Sequence, residues 1–146
     1  MQIGVETSRA VENRRVFVVS NDEITRSILQ FMLHDENETH DLPSLQAAYE
    51  KAVDWKPDLL LLGLEVVEAQ GAAVFSEIAG KMPDAKIMLI AGAGQDAHAQ
   101  TYLKSGAHSV LTKPLTVESV RKKVNILLGH GTNQMVQLSF MPAKKG

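Results

Sequence analysis

Lys113 and a short glycine loop are the groups in this sequence best suited to binding an anion. Lys113 follows the apolar pair Val110-Leu111, and Gly92-Ala93-Gly94 follows another apolar run. A lysine ammonium group and the backbone N–H groups of a glycine-rich turn can both bind phosphate or carboxylate oxygens. The alternative is that Lys113 forms an ion pair with Asp22 or Glu65. Both interpretations remain open from the sequence alone.

Residue types and spacing exclude several other chemistries. The chain has no cysteine, which excludes disulfides, thiolate zinc sites and cysteine nucleophiles. Its five histidines form no i, i+4 pair and no tight cluster, so the sequence predicts no metal site. No base, nucleophile and orienting group converge in the pattern. We therefore expect a protein that is not an enzyme and that carries no cofactor.

Composition favours one soluble domain. The chain has 146 residues and a formal net charge of −2, which provides no general field for attracting nucleic acid. The longest apolar runs are far shorter than the roughly 20 residues of a membrane span. Residues 1–14 contain no apolar segment of the kind found in secretory signals. We therefore expect a cytoplasmic protein that binds neither nucleic acid nor membrane.

Four continuous apolar runs indicate strands that are buried on both faces of a parallel sheet. They lie at residues 16–19, 59–62, 87–90 and 110–111. Between them, apolar residues recur with helical period; the first such stripe consists of Ile24, Ile28, Phe31 and Met32. A further strand is required between the first two helices, and residues 39–42 are the only place for a short edge strand. The alternation predicts an α/β fold with an open, doubly wound parallel sheet.

The sequence also predicts where helices begin and end, and which edge of the sheet carries the functional site. Ser20 and Glu23 have the spacing of a capping box, Thr116 can cap the last helix, and Gly106 and Gly129 are placed as left-handed helix stops. In open parallel sheets, the functional crevice lies beyond the carboxyl ends of the strands. Those ends fall at residues 20–22, 63–65, 91–95 and 112–114.

Several short motifs have a characteristic order along the chain: Arg26 after the first strand, Pro57-Asp58 before the third, Gly71 at the start of the third helix, Ser105-Gly106-Ala107, and Leu111-Thr112-Lys113-Pro114. With these motifs, residues 15–129 resemble the receiver domain of two-component response regulators. The resemblance implies a flavodoxin-like (βα)5 fold with strand order 2-1-3-4-5. It also implies a cis peptide bond before Pro114.

The resemblance gives each site position an expected role. In that family a histidine kinase transfers a phosphoryl group to an aspartate at the end of the third strand. Mg²⁺, an acidic pair after the first strand, a hydroxyl after the fourth and a lysine after the fifth assist the transfer. Carried over residue by residue, these positions fall on Ser20 and Asn21, Gly63, Ile90 or its neighbour Ala91, and Lys113.

Only Lys113 matches its expected type. Glycine has no side chain to phosphorylate, and neither Ile90 nor Ala91 can donate a hydrogen bond from its side chain. A one-residue shift brings Asp22 into the acidic pair but displaces Arg26. The chain is therefore interpreted as a degenerate pseudo-receiver, for which Mg²⁺ is not expected, acting by phosphorylation-independent contact with a protein partner in bacterial two-component or phosphorelay signalling.

Two alternatives belong to other classes of function. The first is a phosphoacceptor that uses a non-standard carboxylate, Asp22 or Glu65; Glu65 is two residues beyond Gly63, and we expect its side chain to point into solvent. The second is a sensor that binds an anion or nucleotide over Lys113, with Gly92 and Gly94 supplying backbone N–H groups.

The resemblance also places a partner face on the helix after the fourth strand, the fifth strand and the last helix. Lys104, His108, Arg121 and Lys122 lie there, which indicates an acidic partner, a signalling regulator or a kinase. Tails at residues 1–14 and 130–146 flank the domain. The second contains an alternating segment, and we expect residues 135–141 to form a strand on a sheet edge or in a homodimer.

Overall fold

The apolar runs of the sequence form the strands of a parallel sheet. In the computed structural model, which describes residues 14–129, these strands are β1 (Arg15–Val19), β2 (Glu38–Leu42), β3 (Leu59–Gly63), β4 (Lys86–Ala91) and β5 (Ser109–Thr112). They pair in the order β2-β1-β3-β4-β5, and every pairing is parallel. The predicted fold class and strand order, including the edge strand β2, are confirmed.

Helices follow the strands along the chain. They are α1 (Glu23–Leu33), α2 (Leu45–Ala52), α3 (Leu64–Gln70), α4 (Val74–Lys81), α5 (Asp96–Gln100) and α6 (Val117–Leu128), with a 3₁₀ turn at Thr101–Lys104. Gly71 was expected to open the third helix, but it ends α3 instead, with a φ of +88°. Glycine adopts this positive φ without steric cost, so Gly71 separates two short helices. The tails and the expected strand at residues 135–141 lie outside the described residues, apart from residue 14.

Side chains alternate between two hydrophobic layers, one on each face of the sheet. Phe17, Leu60 and Leu62 face the layer that contains α2 and α4. Val18 and Leu61 face the layer that contains α1 and α6. All five are fully buried, which explains why the strands have continuous rather than alternating apolar sequences.

The first helix buries a different face from the one its apolar spacing suggested. Its buried residues are Thr25, Leu29, Met32 and Leu33. Ile24 and Phe31 are 69% and 72% exposed, and Ile28 is 39% exposed. Leu29 and Leu33 are buried against the sheet, and Ile24 and Phe31 are not, because only one face of a helix can pack against a sheet. An apolar stripe is therefore left on the outer surface of α1.

Of the four predicted helix ends, two are confirmed and two are wrong. The hydroxyl of Thr116 accepts the Ser119 N–H at the start of α6, and Gly129 ends that helix in the left-handed conformation. The cap of α1 is Asp22 rather than Ser20, since the Asp22 carboxylate accepts the Ile24 N–H. Ser20 lies two residues earlier and has other partners, described below. Gly106 has a φ of +142°, positive but outside the left-handed helical region.

The edge strand β2 is attached to β1 by a polar network as well as by its backbone. Arg15 and Glu38 are register partners. The Arg15 Nε donates to Glu38 Oε2 at 2.7 Å, and the His40 ring lies 2.8 Å from the same oxygen. The guanidinium of Arg15 also lies over the Trp55 ring, 5.0 Å from its centroid. This network compensates for the few apolar residues of β2.

We expect Glu38→Gln to lower the free energy of unfolding by about 0.5–1 kcal/mol at neutral pH. The Arg15 hydrogen bond lowers the pKa of Glu38 below its ordinary value of 4.5. The charged carboxylate therefore stabilises the fold fully above that value, and this stabilisation is lost as the pH falls through the lowered pKa. Urea unfolding across that window should show the deficit of the variant shrinking at the acid end. A deficit that does not change with pH would contradict this assignment.

Candidate functional site

The predicted site residues come together at the carboxyl edge of the sheet. Strand register places Val19 beside Leu62, Gly63 beside Ile90, and Ala91 beside Thr112. The residues that follow these strands, Ser20 after β1 and Lys113 after β5, therefore border the same crevice. Parallel pairing in register is what brings four chain-distant segments to one edge.

The carboxylate of Glu65 occupies the space that a side chain at Gly63 would fill. A Cβ added at Gly63 would lie 2.5 Å from each carboxylate oxygen of Glu65 and 2.7 Å from its Cδ. Glu65 is exposed, as expected, but its carboxylate is held over Gly63 instead of extending freely into solvent. Glu65 lies in the first turn of α3, and its side chain folds back over the end of β3 because glycine leaves that space open.

Ser20 and Asn21 hold the Glu65 carboxylate in this position. The Ser20 hydroxyl and the Asn21 backbone N–H both donate to Glu65 Oε2, each at 2.8 Å. Ser20 is buried, and its hydroxyl also accepts the Asp22 N–H at 3.0 Å. Because an ionised carboxylate only accepts hydrogen bonds, the hydroxyl proton is committed to Glu65. The two positions that the resemblance assigns to the acidic pair thus bind a carboxylate instead of supplying one.

Asp22 and Lys113 form an ion pair on the other side of this loop. The Lys113 Nζ lies 3.6 Å from Asp22 Oδ2, and both side chains are more than a third exposed. Asp22 also accepts the Thr25 hydroxyl at 2.6 Å. That hydrogen bond lowers the pKa of Asp22 below its ordinary value, and the Ile24 N–H and the charge of Lys113 act in the same direction. The ion-pair interpretation of Lys113 is the one the structure shows.

The remaining site positions offer few free polar groups. Ile90 and Ala91 are buried, and the Gly92 N–H donates to the side chain of Gln95 at 3.1 Å. Gly94 has a φ of +84°. Gly92 and Lys113, two of the three groups expected to bind an anion, thus have partners within the chain. The Lys113–Pro114 peptide bond is cis, as the resemblance implied.

Two further contacts at this edge were not predicted from the sequence. The His98 Nε2 on α5 is hydrogen bonded to Glu68 Oε2 on α3. The Thr112 hydroxyl donates to Asp96 Oδ1 at 2.7 Å, which connects the end of β5 to the start of α5. Recognition of α3 as a helix would have shown Glu65 and Glu68 to be neighbours on one side, since they are three residues apart.

The predicted basic partner face is not a single patch. The Arg121 Nε donates to the Met32 carbonyl at 2.9 Å, and its guanidinium nitrogens lie 3.7 Å from Asp35 and 3.9 Å from Glu36. Arg121 is therefore directed toward the end of α1. The His108 Nδ1 accepts the Ile87 N–H, and burial, with a smaller contribution from Lys86, lowers the pKa of His108.

Lys104 and Lys122 remain exposed and carry the positive charge of the predicted face. Within residues 14–129, no three acidic or histidine side chains are grouped as a metal site would require. In the same range, no helix has the length and hydropathy needed to span a membrane.

Comparison with known proteins assigns these features to a family. A family model described as the response regulator receiver domain matches residues 16–125. The chain is 27% identical over 116 residues to the chemotaxis protein CheY of Halobacterium salinarum, a match that covers 79% of this chain and 97% of that protein. It is 34% identical over 67 residues to the transcriptional regulatory protein CitT of Bacillus subtilis, covering 46% of this chain and 30% of CitT.

Solved structures show the same fold. A response regulator from Thermotoga maritima has a TM-score of 0.72 at 21% identity, covering 80% of this chain and 98% of that one. NtrX from Brucella abortus in complex with ADP has a TM-score of 0.72 at 22% identity, covering 86% of this chain and 28% of that one. The chain spans about half, or less, of the length of several curated relatives, 30% of CitT and 49% of the LytT protein of Bacillus subtilis.

Proposed function

The chain belongs to the response regulator receiver family, and we propose that it signals without an aspartyl phosphate, through contact with a partner protein. The observation that carries this proposal is the pair of Gly63 and Glu65. The position of the phosphoacceptor has no side chain, and a carboxylate from the next helix fills the vacated space. Residue 63 itself therefore offers a kinase no side chain to phosphorylate.

The surrounding residues support the same proposal. Phosphoryl transfer requires a nucleophile held in line with the donor and cations that neutralise the developing charge. Here the acidic-pair positions donate hydrogen bonds to Glu65, and Lys113 is paired with Asp22. The proposal therefore includes no Mg²⁺ and no catalytic activity. It also assigns the domain to the cytoplasm, with a protein rather than nucleic acid or membrane as its partner.

An apolar surface on α1 supports the role in protein contact. Ile24, Ile28 and Phe31 lie at i, i+4 and i+7, so they form one stripe along the helix, and all three are exposed. Apolar side chains at this spacing are a common means by which a helix binds a groove in a partner. The exposed lysines Lys104 and Lys122 lie on different elements and add separate positive charges to the surface.

A second candidate function is a phosphoacceptor that uses Glu65. The position of its carboxylate at the Cβ site of Gly63 favours this candidate over one that uses Asp22. Against it, one oxygen of Glu65 already accepts two hydrogen bonds, and the ammonium of Lys113 is engaged by Asp22. We therefore rank contact without phosphorylation first.

Incubation with acetyl phosphate and Mg²⁺, followed by intact-mass measurement, distinguishes the two candidates. We expect no gain of a phosphoryl group, because the aspartate that would accept it is missing. A receiver with an intact phosphoacceptor, treated in parallel, is the positive control. A stoichiometric gain that disappears in Glu65→Gln would overturn the proposal and establish Glu65 as the phosphoacceptor.

A further inference from the structure

We infer that four contacts between segments, together with one hydrogen bond inside the β1–α1 loop, close a ring around the crevice and couple the mobility of the segments that border it. We call this set of contacts the rim ring. It connects the loop between β1 and α1, helix α3, helix α5 and the end of β5, then returns to the first loop. The inference rests on the proposed function in one respect, that the domain holds a fixed arrangement instead of switching on phosphorylation.

Helix α3 supplies two of the four contacts. Glu65 accepts hydrogen bonds from Ser20 and Asn21 in the β1–α1 loop. Glu68 is hydrogen bonded to His98 on α5. The two acids are three residues apart, so they leave the helix on neighbouring positions yet reach opposite walls of the crevice. Helix α3 therefore connects the β1–α1 loop on one side of the crevice to α5 on the other.

Strand β5 supplies the other two contacts. The Thr112 hydroxyl donates to Asp96 at the start of α5, at 2.7 Å. The next residue, Lys113, has its ammonium 3.6 Å from Asp22. Asp22 is joined to Ser20 by the hydrogen bond from its backbone N–H to the Ser20 hydroxyl, at 3.0 Å. This last bond returns the circuit to the residue that binds Glu65, so the ring is closed.

Closure gives these contacts an effect that separate pairs would lack. Individually, exposed ion pairs and hydrogen bonds contribute little, because each must immobilise flexible side chains. In a closed ring each segment is held from two sides, so the loss of one contact leaves its neighbours less constrained. Loss of one contact should therefore increase the frequency of local unfolding at other segments of the rim, including segments that the mutated side chain does not contact.

The ring also reaches the apolar stripe on α1. Asp22 is the N-cap of α1, and Ile24 begins the exposed stripe two residues later. The position of the first turn of α1 is thus set by residues that belong to the rim ring. In this way the crevice, although it carries no phosphoryl group, determines how the contact surface is presented.

Amide hydrogen exchange of the full chain tests the ring through two variants that break different contacts. Glu68→Ala removes the contact between α3 and α5, and Thr112→Val removes the hydroxyl that binds Asp96 while keeping the side-chain shape. We expect both variants to accelerate exchange of the Asn21 and Asp22 amides, which donate to Glu65 and Ser20, by about threefold or more. Neither mutated side chain contacts those amides. Glu118→Ala, which removes an exposed acid from the first turn of α6, is the matched control and should leave them unchanged.

The inference is overturned if each variant changes amide exchange only in the segments that the mutated side chain contacts. If Glu68→Ala alters only α3 and α5, and Thr112→Val alters only α5 and β5, the contacts are independent pairs and no ring operates. The phosphodonor experiment is separate, because exchange is measured without phosphodonor or Mg²⁺. Long-range acceleration together with phosphorylation of Glu65 would retain the ring and overturn the proposed function.

Discussion

Gly63→Asp, which restores the residue type of the family's phosphoacceptor, is expected to lower the free energy of unfolding by about 1 kcal/mol. Gly63 has φ −61° and ψ 137°, a conformation that any residue adopts, so the cost does not come from the backbone. It comes from Glu65, whose carboxylate lies 2.5 Å from the new Cβ and must leave. Its departure breaks the hydrogen bonds from Ser20 and Asn21 and places two carboxylates side by side. Urea unfolding measures this loss.

A double-mutant cycle with Glu65→Ala tests whether displacement of Glu65 causes the loss of stability in Gly63→Asp. In a Glu65→Ala background the space over Gly63 is free, and the carboxylate introduced by Gly63→Asp can accept the Ser20 hydroxyl. We therefore expect Gly63→Asp to be neutral or stabilising in that background, a reversal of its effect in the parent chain. Equal destabilisation in both backgrounds would show that Glu65 does not occupy the site in solution.

Gly106→Ala should be destabilising by about 2–4 kcal/mol, for a steric reason that no side-chain motion can relieve. A Cβ at Gly106 would lie 2.8 Å from the Cβ of Phe75, an atom fixed to the backbone of α4. Gly106 also has a φ of +142°, where residues other than glycine are strained. Phe75 is buried and cannot retreat without moving its helix. Thermal or urea unfolding of the variant gives the magnitude.

Gly80→Ala provides the control of opposite sign. Gly80 lies in α4, and an added Cβ there meets no atom within 4 Å. Alanine is favoured over glycine inside a helix, so this substitution should stabilise the protein by about 0.5–1 kcal/mol. If both glycine variants changed stability by the same small amount, the close approach of Gly106 to Phe75 would have to be rejected.

Under the proposed function, these contacts describe a receiver site in which one side chain takes the place of another. Gly63 supplies no nucleophile, and Glu65 occupies the space beside it with hydrogen bonds from Ser20 and Asn21. Filling the space avoids an unpaired buried hydroxyl at Ser20, which would cost stability. The apolar stripe on α1 remains exposed in this arrangement.

Much of the fold could be predicted because the relevant signals are local. Continuous apolar runs identified β1, β3, β4 and β5, and the need for a strand between two helices located the edge strand β2. Thr116 and Gly129 marked the ends of α6 through the conformational preferences of single residues. Helix α3 was missed because seven residues are too few to show a clear period.

Residue identity alone determined that position 63, which our proposal takes as the phosphoacceptor position, carries no nucleophile, because glycine has no side chain in any fold. It also determined that neither Ile90 nor Ala91 can supply a hydroxyl. Only the tertiary structure decided what replaced them. Glu65 reaches Ser20 across a separation of 45 residues, and this contact exists because β1 and β3 are adjacent in the sheet and α3 turns back over its edge. Likewise, whether Lys113 was free to bind an anion depended on Asp22, which parallel pairing brings to the same edge from the opposite end of the domain.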